Sequence, residues 1–413
     1  MLQKRHKSII YAVLGHVYEH YESTLFAFFG PLIAFQFFPP AENSKETTLG
    51  VYAAIAAGFW MRPFGATVFS WVGDKYGRRK AVIYSFASSI IPAIVIAILP
   101  GYDTFGFYSP VILIICRLFQ GASIGGAFYG TITFVGESSP KHKKNINTGI
   151  LLSMGFLGAL LGTSISAGST MKFMPDWAWR IPFLFGAVYG ILLFVYKGYM
   201  QESETWKKSE KSKFAIPFFH AIMNYPRNIT AVFLFGSALL VPFYIAASWM
   251  SGHIKTTFYL DDSYVLLLSS IMMLICGVFM VLFCWIATYF CPKKLLYYSF
   301  ILNLVIAVLF YIAISYNSLS LLIVCQSLIA VLTALQGGPV FLMIQKMFPP
   351  KYKYSGFAVP FSIGQALFTG ATPYISEKIA LSTADNSNIT YMIVLSMVLI
   401  FIGTKISILN KKF

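Results

Sequence analysis

Apolar runs of about 20 residues recur along the whole of this chain, from residue 10 to residue 409, and that recurrence limits what it can fold into. An α-helix rises 1.5 Å per residue, so about 20 residues cross the roughly 30 Å hydrocarbon core of a bilayer. Lipid offers no hydrogen bonds, so a crossing segment must satisfy its own backbone by coiling into a helix. On that ruler the runs place helices near residues 10–38, 48–73, 81–99, 107–137, 147–170 and 178–199. A second set follows near 228–250, 263–286, 294–315, 318–346, 354–378 and 389–409. An all-α membrane protein of twelve transmembrane helices in two six-helix bundles is therefore expected. With 57% hydrophobic and 11% charged residues, against about 25% charged in soluble domains, water is not its main solvent. The cationic start followed by an apolar run resembles a signal peptide. That run is too long, carries Glu19 and Glu22 and lacks a small-residue cleavage site, so it reads as a retained first span.

The longest polar stretch, Lys197 to Arg227, falls at the middle of the helix count and holds Glu202, Glu204, Lys207, Lys208, Glu210, Lys211 and Lys213. The expected organisation is an N-terminal bundle over 1–199, a cytoplasmic linker over 200–227 and a C-terminal bundle over 228–413. Lys and Arg accumulate on the cytoplasmic side of a membrane. With the N-terminus inside, 24 of the 31 fall on that side and five outside: Lys45, Lys172, Arg180, Lys255 and Lys378. Both termini are expected in the cytoplasm. The net charge of +16 does not point to nucleic acid, because the cations sit in short tracts between apolar runs. Cys116, Cys276, Cys284, Cys291 and Cys325 show no metal-binding spacing and read as core thiols. Gly158 and Gly162 form a GxxxG spacing that lets helix backbones approach closely.

Two cations, Arg62 and Arg117, remain inside helices. An ionised side chain at mid-bilayer costs roughly 3 kcal/mol, so such residues face a partner or a cavity. Helix 1 adds His16, Glu19, His20 and Glu22, whose spacings of three and four put His16 beside Glu19 and His20, and Glu19 beside Glu22. Two readings are open: Arg62 and Arg117 neutralise Glu19 and Glu22 as structural ion pairs, or the four exchange protons and recognise a charged solute. His16 and His20 either titrate near neutral pH or hydrogen-bond a neighbouring carboxylate or helix. Tyr18, Tyr21, Phe128, Tyr129, Tyr244 and Trp249 are candidates to enclose an ammonium group, with plain packing as the alternative for each.

The loop Gly73-Asp74-Lys75-Tyr76-Gly77-Arg78-Arg79-Lys80 resembles the signature between helices 2 and 3 of the major facilitator superfamily. Asp74 can cap a helix N-terminus, Gly77 permits a tight turn, and Arg78 and Arg79 can pair with Glu137 at the base of helix 4. The resemblance implies that these residues gate the transporter. Further segments resemble the metabolite:proton symporters, the branch containing proline/betaine, α-ketoglutarate, citrate and shikimate carriers. They are Gly15-His16-Val17-Tyr18-Glu19-His20-Tyr21-Glu22 with Pro31 and Phe37-Phe38-Pro39, then Arg62-Pro63-Phe64-Gly65, then Arg117-Leu118-Phe119-Gln120-Gly121-Ala122-Ser123-Ile124-Gly125-Gly126. Trp179-Arg180-Ile181-Pro182-Phe183, Phe348-Pro349 and Tyr354-Ser355-Gly356 extend it over nearly the whole chain. The family carries an acid where this chain has Ala127, and Asn and Trp where it has His16 and His20. Its second loop signature has decayed around Thr288 to Lys294, and Lys346 replaces an acid.

The resemblance implies a secondary active transporter working by alternating access, with the small residues Gly121, Gly125, Gly126, Gly158 and Gly162 letting helices slide closely. Proton-coupled symport of a small metabolite or osmolyte such as proline or betaine is expected, the proton gradient supplying the energy with no cofactor. An organic acid such as α-ketoglutarate, citrate or shikimate is the alternative substrate. The expected setting is a bacterial inner membrane, with a small molecule, protons and lipid as partners, no nucleic acid, and a monomeric chain. An enzyme would need a catalytic group at an interface. Asp103, Asp176, His253, Asp261, Asp262, Glu377 and Asp385 form no motif with a nucleophile or metal spacing. No re-entrant filter suggests a channel, and Thr163 after Gly162 departs from the drug-antiporter pattern. The lost acid at Ala127 keeps a non-transporting sensor relative open. The chain ends at Phe413 without a coiled-coil tail, so osmotic gating is not expected.

Overall fold

The computed structural model describes residues 2–38, 44–169, 171, 173–209, 217–383 and 386–408. Pro39, Lys172, Glu210, Lys211, Lys213 and Asp385 lie outside the described residues. The described chain is helical, in twelve long segments. They are α1 (Leu2–Phe37), α2 (Ser44–Lys75), α3 (Arg78–Ile98), α4 (Tyr108–Ser138), α5 (Lys144–Ser169) and α6 (Ile181–Val195), followed by α7 (Pro226–Phe258), α8 (Asp262–Tyr289), α9 (Pro292–Ser315), α10 (Leu319–Met347), α11 (353–383) and α12 (Thr390–Ile408). Nine of the described helices are long and apolar enough to cross a bilayer. The other three are α1 and α2, each of which holds two buried charged residues, and α11, which is broken.

Most observed boundaries fall within a few residues of the apolar runs; three features do not follow them. α1 begins at Leu2, so its first two turns are a polar extension of the span. α7 and α11 are interrupted: α7 breaks at Leu239–Leu240 and rewinds through a π-helical turn, Ile245–Trp249, and α11 contains another, Gln365–Thr369. Pro242 brings no N–H to α7, which removes one rung of its hydrogen-bond ladder. Four cysteines are buried as expected, whereas Cys291 is exposed because it stands in the turn just ahead of Pro292.

The chain divides into two compact units, Met1–Ser139 with Met154–Pro217, and Pro140–Ser153 with Phe218–Phe413. In the first unit α2 packs along α4, and α3 packs against α4 and α6. Glycine makes the α2–α4 contact possible. A Cβ on Gly121 would fall on the Gly58 carbonyl, one on Gly125 on the Arg62 carbonyl, and one on Gly65 on the Ala122 carbonyl. The α5–α1 contact is built the same way: Gly158 lies against the Val17 carbonyl, and a Cβ on Gly162 would come 3.2 Å from the Tyr21 carbonyl. One end of this unit is closed by Phe37, Leu99, Leu113, Trp179 and Phe183 around Cys116. Trp179 meets Phe37 edge-on at 5.1 Å, and the Arg180 guanidinium lies 4.1 Å over the Trp179 ring while donating to the Leu99 carbonyl at 3.1 Å. In the second unit α10 packs between α8 and α9, and α7 between α11 and α12. There too glycine sits at the tightest point, Gly236 against the Phe361 carbonyl.

A backbone carbonyl cannot move aside as a side-chain tip can. Gly125→Val is therefore expected to lower stability in detergent by about 1–3 kcal/mol or more, the range for overpacked sites. Gly252→Ala, where nothing lies within 4 Å of the added carbon, should leave the thermal midpoint unchanged, and both are read by thermal unfolding.

Candidate functional site

Within the first unit, α1, α2 and α4 bring His16, Glu19, His20, Glu22, Arg62 and Arg117 into its interior. His16 is 0% exposed, Glu19 4%, Glu22 2%, Arg62 8% and Arg117 5%. Glu22 and Arg117 are joined through a residue not singled out in the sequence as part of the site. Arg117 Nη1 donates to Gln120 Oε1 at 2.8 Å, and Gln120 Nε2 donates to Glu22 Oε2 at 2.7 Å. Gln120 lies one turn beyond Arg117 on α4, so the helical repeat carries both toward α1. Arg62 does not close on either carboxylate. It donates to Ser23 Oγ at 3.3 Å, its guanidinium lies 3.8 Å over the Phe59 ring, and its Nε has no hydrogen-bond partner among the described residues. Among the described residues Arg62 thus makes no direct ion pair with Glu19 or Glu22. Glu19 Oε2 lies 3.6 Å from His16 Nδ1, whose other neighbour is Thr131 Oγ1 at 3.2 Å. His20 Nδ1 donates to the His16 carbonyl at 3.1 Å.

His20, Glu22 and the nearby Tyr18 stand where a neighbouring helix has a glycine. His20 lies over Gly155 of α5, where an added Cβ would come 2.8 Å from its Nε2. The Glu22 carboxylate lies against Gly186 of α6, and the Tyr18 hydroxyl 2.7 Å from the corresponding point on Gly190. The rings considered for cation–π contact are placed as packing. Tyr18 bonds Ser89 at 2.9 Å and Tyr21 donates to the Pro182 carbonyl at 2.6 Å. Phe128 and Tyr129 meet edge-on at 5.0 Å, Tyr244 meets Phe243 at 5.8 Å, and Trp249 stacks on His253 at 5.0 Å.

The second cluster surrounds the loop between α2 and α3. Arg78 is fully buried and donates to Asp74 Oδ1 at 2.5 Å, to the Gly73 carbonyl at 2.7 Å, and to Glu137 through Nη2 at 3.1 Å and Nε at 3.3 Å. Asp74 thus holds Arg78 and does not cap a helix; the N-cap of α3 is Gly77, which makes no side-chain cap. Gly77 has φ 118°, a left-handed value favouring glycine, and a Cβ there would strike the Glu202 carboxylate. Arg79 does not join Glu137. Its guanidinium donates to the carbonyls of Met200 at 2.5 Å and Lys197 at 3.4 Å, and its backbone N–H donates to Glu202 at 3.2 Å. Residues 200–209, read as the start of the linker, therefore dock here. Ser203 Oγ donates to Glu137 Oε2 at 2.9 Å, and Trp206 Nε1 to the Asp74 carbonyl at 3.1 Å. Burial pushes the Glu202 carboxyl up from its ordinary value, opposed by the N–H groups of Ser203 and Arg79. The short spacing Glu202-Ser203-Glu204, a capping pattern ahead of the helix Glu204–Lys208, was the available sequence signal.

In the second unit the decayed signature is replaced by neutral bonds. Asn145 Nδ2 donates to the Ala287 carbonyl at 3.2 Å and lies 3.5 Å from Thr288 Oγ1, and Gln345 Nε2 donates to Thr148 at 3.2 Å. The side chain of Lys346 is exposed.

Solved structures share this architecture. The MFS (major facilitator superfamily) proton:xylose symporter XylE is similar with a TM-score of 0.81 over 97% of this chain and 95% of that one, at 14% identity. FucP, solved in an outward conformation, reaches 0.70 over 97% and 99% at 13% identity. With its buried charges and apolar spans, the protein is a multi-pass membrane transporter of the major facilitator fold. A family model described as sugar (and other) transporter matches residues 8–216, and the chain belongs to that family. The proline/betaine transporter of Escherichia coli (strain K12) is 26% identical over 404 residues, 92% of this chain and 79% of that one. The chain is a secondary transporter.

Breaking a buried ion pair leaves an uncompensated charge, at a cost of about 3–5 kcal/mol. Glu137→Gln should therefore lower the unfolding midpoint substantially, whereas Glu204→Gln, at an exposed pair with Lys207, should leave it in place. Thermal unfolding of both variants in one detergent distinguishes them.

Proposed function

We propose that this protein is a proton-coupled symporter of a small zwitterion of the proline or betaine type, working by alternating access in a bacterial inner membrane with both termini in the cytoplasm. The proton gradient is its energy source. The observation that carries the reading is the unequal treatment of two buried arginines. Arg117 is joined through Gln120 to Glu22, while Arg62 touches a hydroxyl and an aromatic face and keeps donor capacity in reserve. A guanidinium with unused donors in a low-dielectric interior is suited to a carboxylate, because its fork matches two oxygens. Arg62 is accordingly the substrate anchor and Arg117 the group that positions Glu22. Glu19, whose Oε2 has no hydrogen bond among the described residues, is the proton carrier, with His16 at 3.6 Å as its exchange partner. Asp74, Arg78 and Glu137 hold the gating loop, with Gly73, Gly77 and Arg79 shaping it.

The 26% identity to a proline/betaine transporter over most of the chain favours a zwitterion. A symporter of an organic acid anion is the second reading, supported by the same Arg62. The two part on substrate: a zwitterion needs one carboxylate anchor and a site for its ammonium, whereas a dicarboxylate needs a second cation.

Reconstituted vesicles test both. Proline or betaine should accumulate when the outside is acidic, and α-ketoglutarate should not. Glu19→Gln should abolish gradient-driven accumulation while leaving substrate exchange across the membrane, since exchange needs no net proton transfer. Arg62→Gln should raise KM by at least about tenfold, the worth of one charge-assisted bond. Accumulation unchanged in both Glu19→Gln and Glu22→Gln sinks the proton assignment.

A further inference from the structure

We propose that His16, Glu19 and His20 form a binding site for one divalent transition-metal ion of the zinc class. One nitrogen from each ring and one carboxylate oxygen lie within 4.8 Å of one another, on a single turn of α1. Three protein ligands of imidazole and carboxylate type, with one position left for water, are a common zinc set, with bonds of about 2.0–2.2 Å.

The hydrogen bonds around the rings prepare them for this. A carbonyl can only accept, so the His20 Nδ1 facing the His16 carbonyl carries the proton, and its Nε2 presents a lone pair. Thr131 Oγ1 lies 3.0 Å from the carbonyls of Ala127 and Phe128, which take the hydroxyl proton. Its oxygen then accepts from His16 Nδ1, and His16 Nε2 presents a lone pair in turn. That nitrogen and Glu19 Oε2 are both buried and both without a hydrogen-bond partner among the described residues. Metal-binding histidines elsewhere are oriented in this way, the second ring nitrogen donating to a carbonyl or other acceptor. Gly155 leaves the space the His20 ring occupies, and Phe128 lies along both rings at 5.6 and 5.8 Å. The proposal does not depend on the identity of the coupling ion or of the transported solute, because metal binding at equilibrium requires neither.

The test is a Zn²⁺ titration of the metal-depleted, purified full-length chain by calorimetry, with a thermal-shift readout in parallel. One equivalent should bind and raise the midpoint. His16→Ala and His20→Ala should each weaken binding by at least about tenfold, and His253→Ala should leave it unchanged. Absence of saturable binding, or unchanged affinity in the double variant His16→Ala/His20→Ala, overturns the proposal. X-ray absorption on the Zn²⁺-loaded unmodified chain decides the ligands independently of how the variants fold. Two imidazoles with oxygen support the site, and a sulfur ligand or a single imidazole rejects it.

Discussion

The close contact of α2 with α4 underlies the rest of the first unit. Membrane helices gain little from apolar contact with one another, since lipid chains are equally apolar, so tight backbone approach has to supply the association. Here glycines meet carbonyls along the seam: Gly121 on Gly58, Gly65 on Ala122, Gly125 on Arg62. The last contact fixes the backbone from which the Arg62 side chain leaves. The same seam brings Arg117 close to α2, with its Nη2 3.5 Å from the point where a Gly58 Cβ would stand. A bulkier residue on either helix would therefore alter the spacing of the charged groups as well as the packing.

Given that frame, α1 can carry four polar side chains where a membrane span ordinarily carries few. The cost of each is reduced locally. Gln120 extends Arg117 to Glu22, Thr131 and Glu19 flank His16, and a backbone carbonyl holds His20. Glycines of α5 and α6 supply the volume for His20 and Glu22. The result is a helix whose polar face is shaped by its neighbours, and small changes in those neighbours would reach the charges directly.

Much of this was legible in the sequence because it follows from periodicity and charge. Apolar runs located the spans, and the pattern Gly73 to Lys80 led to Arg78 and Glu137. What was not legible depends on distances between helices that no local pattern encodes. Gln120 reads as an ordinary polar residue until Glu22 is placed opposite it, and Gly155, Gly186 and Gly190 read as packing until the side chains over them are known. Asp74 pairs with Arg78 inside the loop, and Arg79 turns to the Met200 carbonyl, a contact that exists only because residues 200–209 return to the loop. The breaks in α7 and α11 were hidden since π turns interrupt hydrogen bonding without interrupting hydrophobicity. Two departures from the family pattern turn out to be neighbours: His16 reaches Thr131, one turn beyond Ala127 on α4.

The units differ in how they treat polar interior groups. Every buried Asp, Glu and Arg among the described residues belongs to the first, whereas the second buries Asn303, Gln326, Gln336 and Gln345. The contrast has energetic consequences. A neutral hydrogen bond contributes about 0.5–1.5 kcal/mol net and is readily exchanged for another or for water. A buried charge cluster such as Arg78 with Asp74 and Glu137 is costly to open, because each separated group would be left ionised in a medium that does not solvate it. The first unit therefore resists rearrangement around its loop. In the second, bonds such as Asn145 to Ala287 and Gln345 to Thr148 can break and re-form at little cost. The π turns at 245–249 and 365–369 put local backbone slack in the same unit. Among the described residues, buried charge and π-helical breaks are thus separated along the chain.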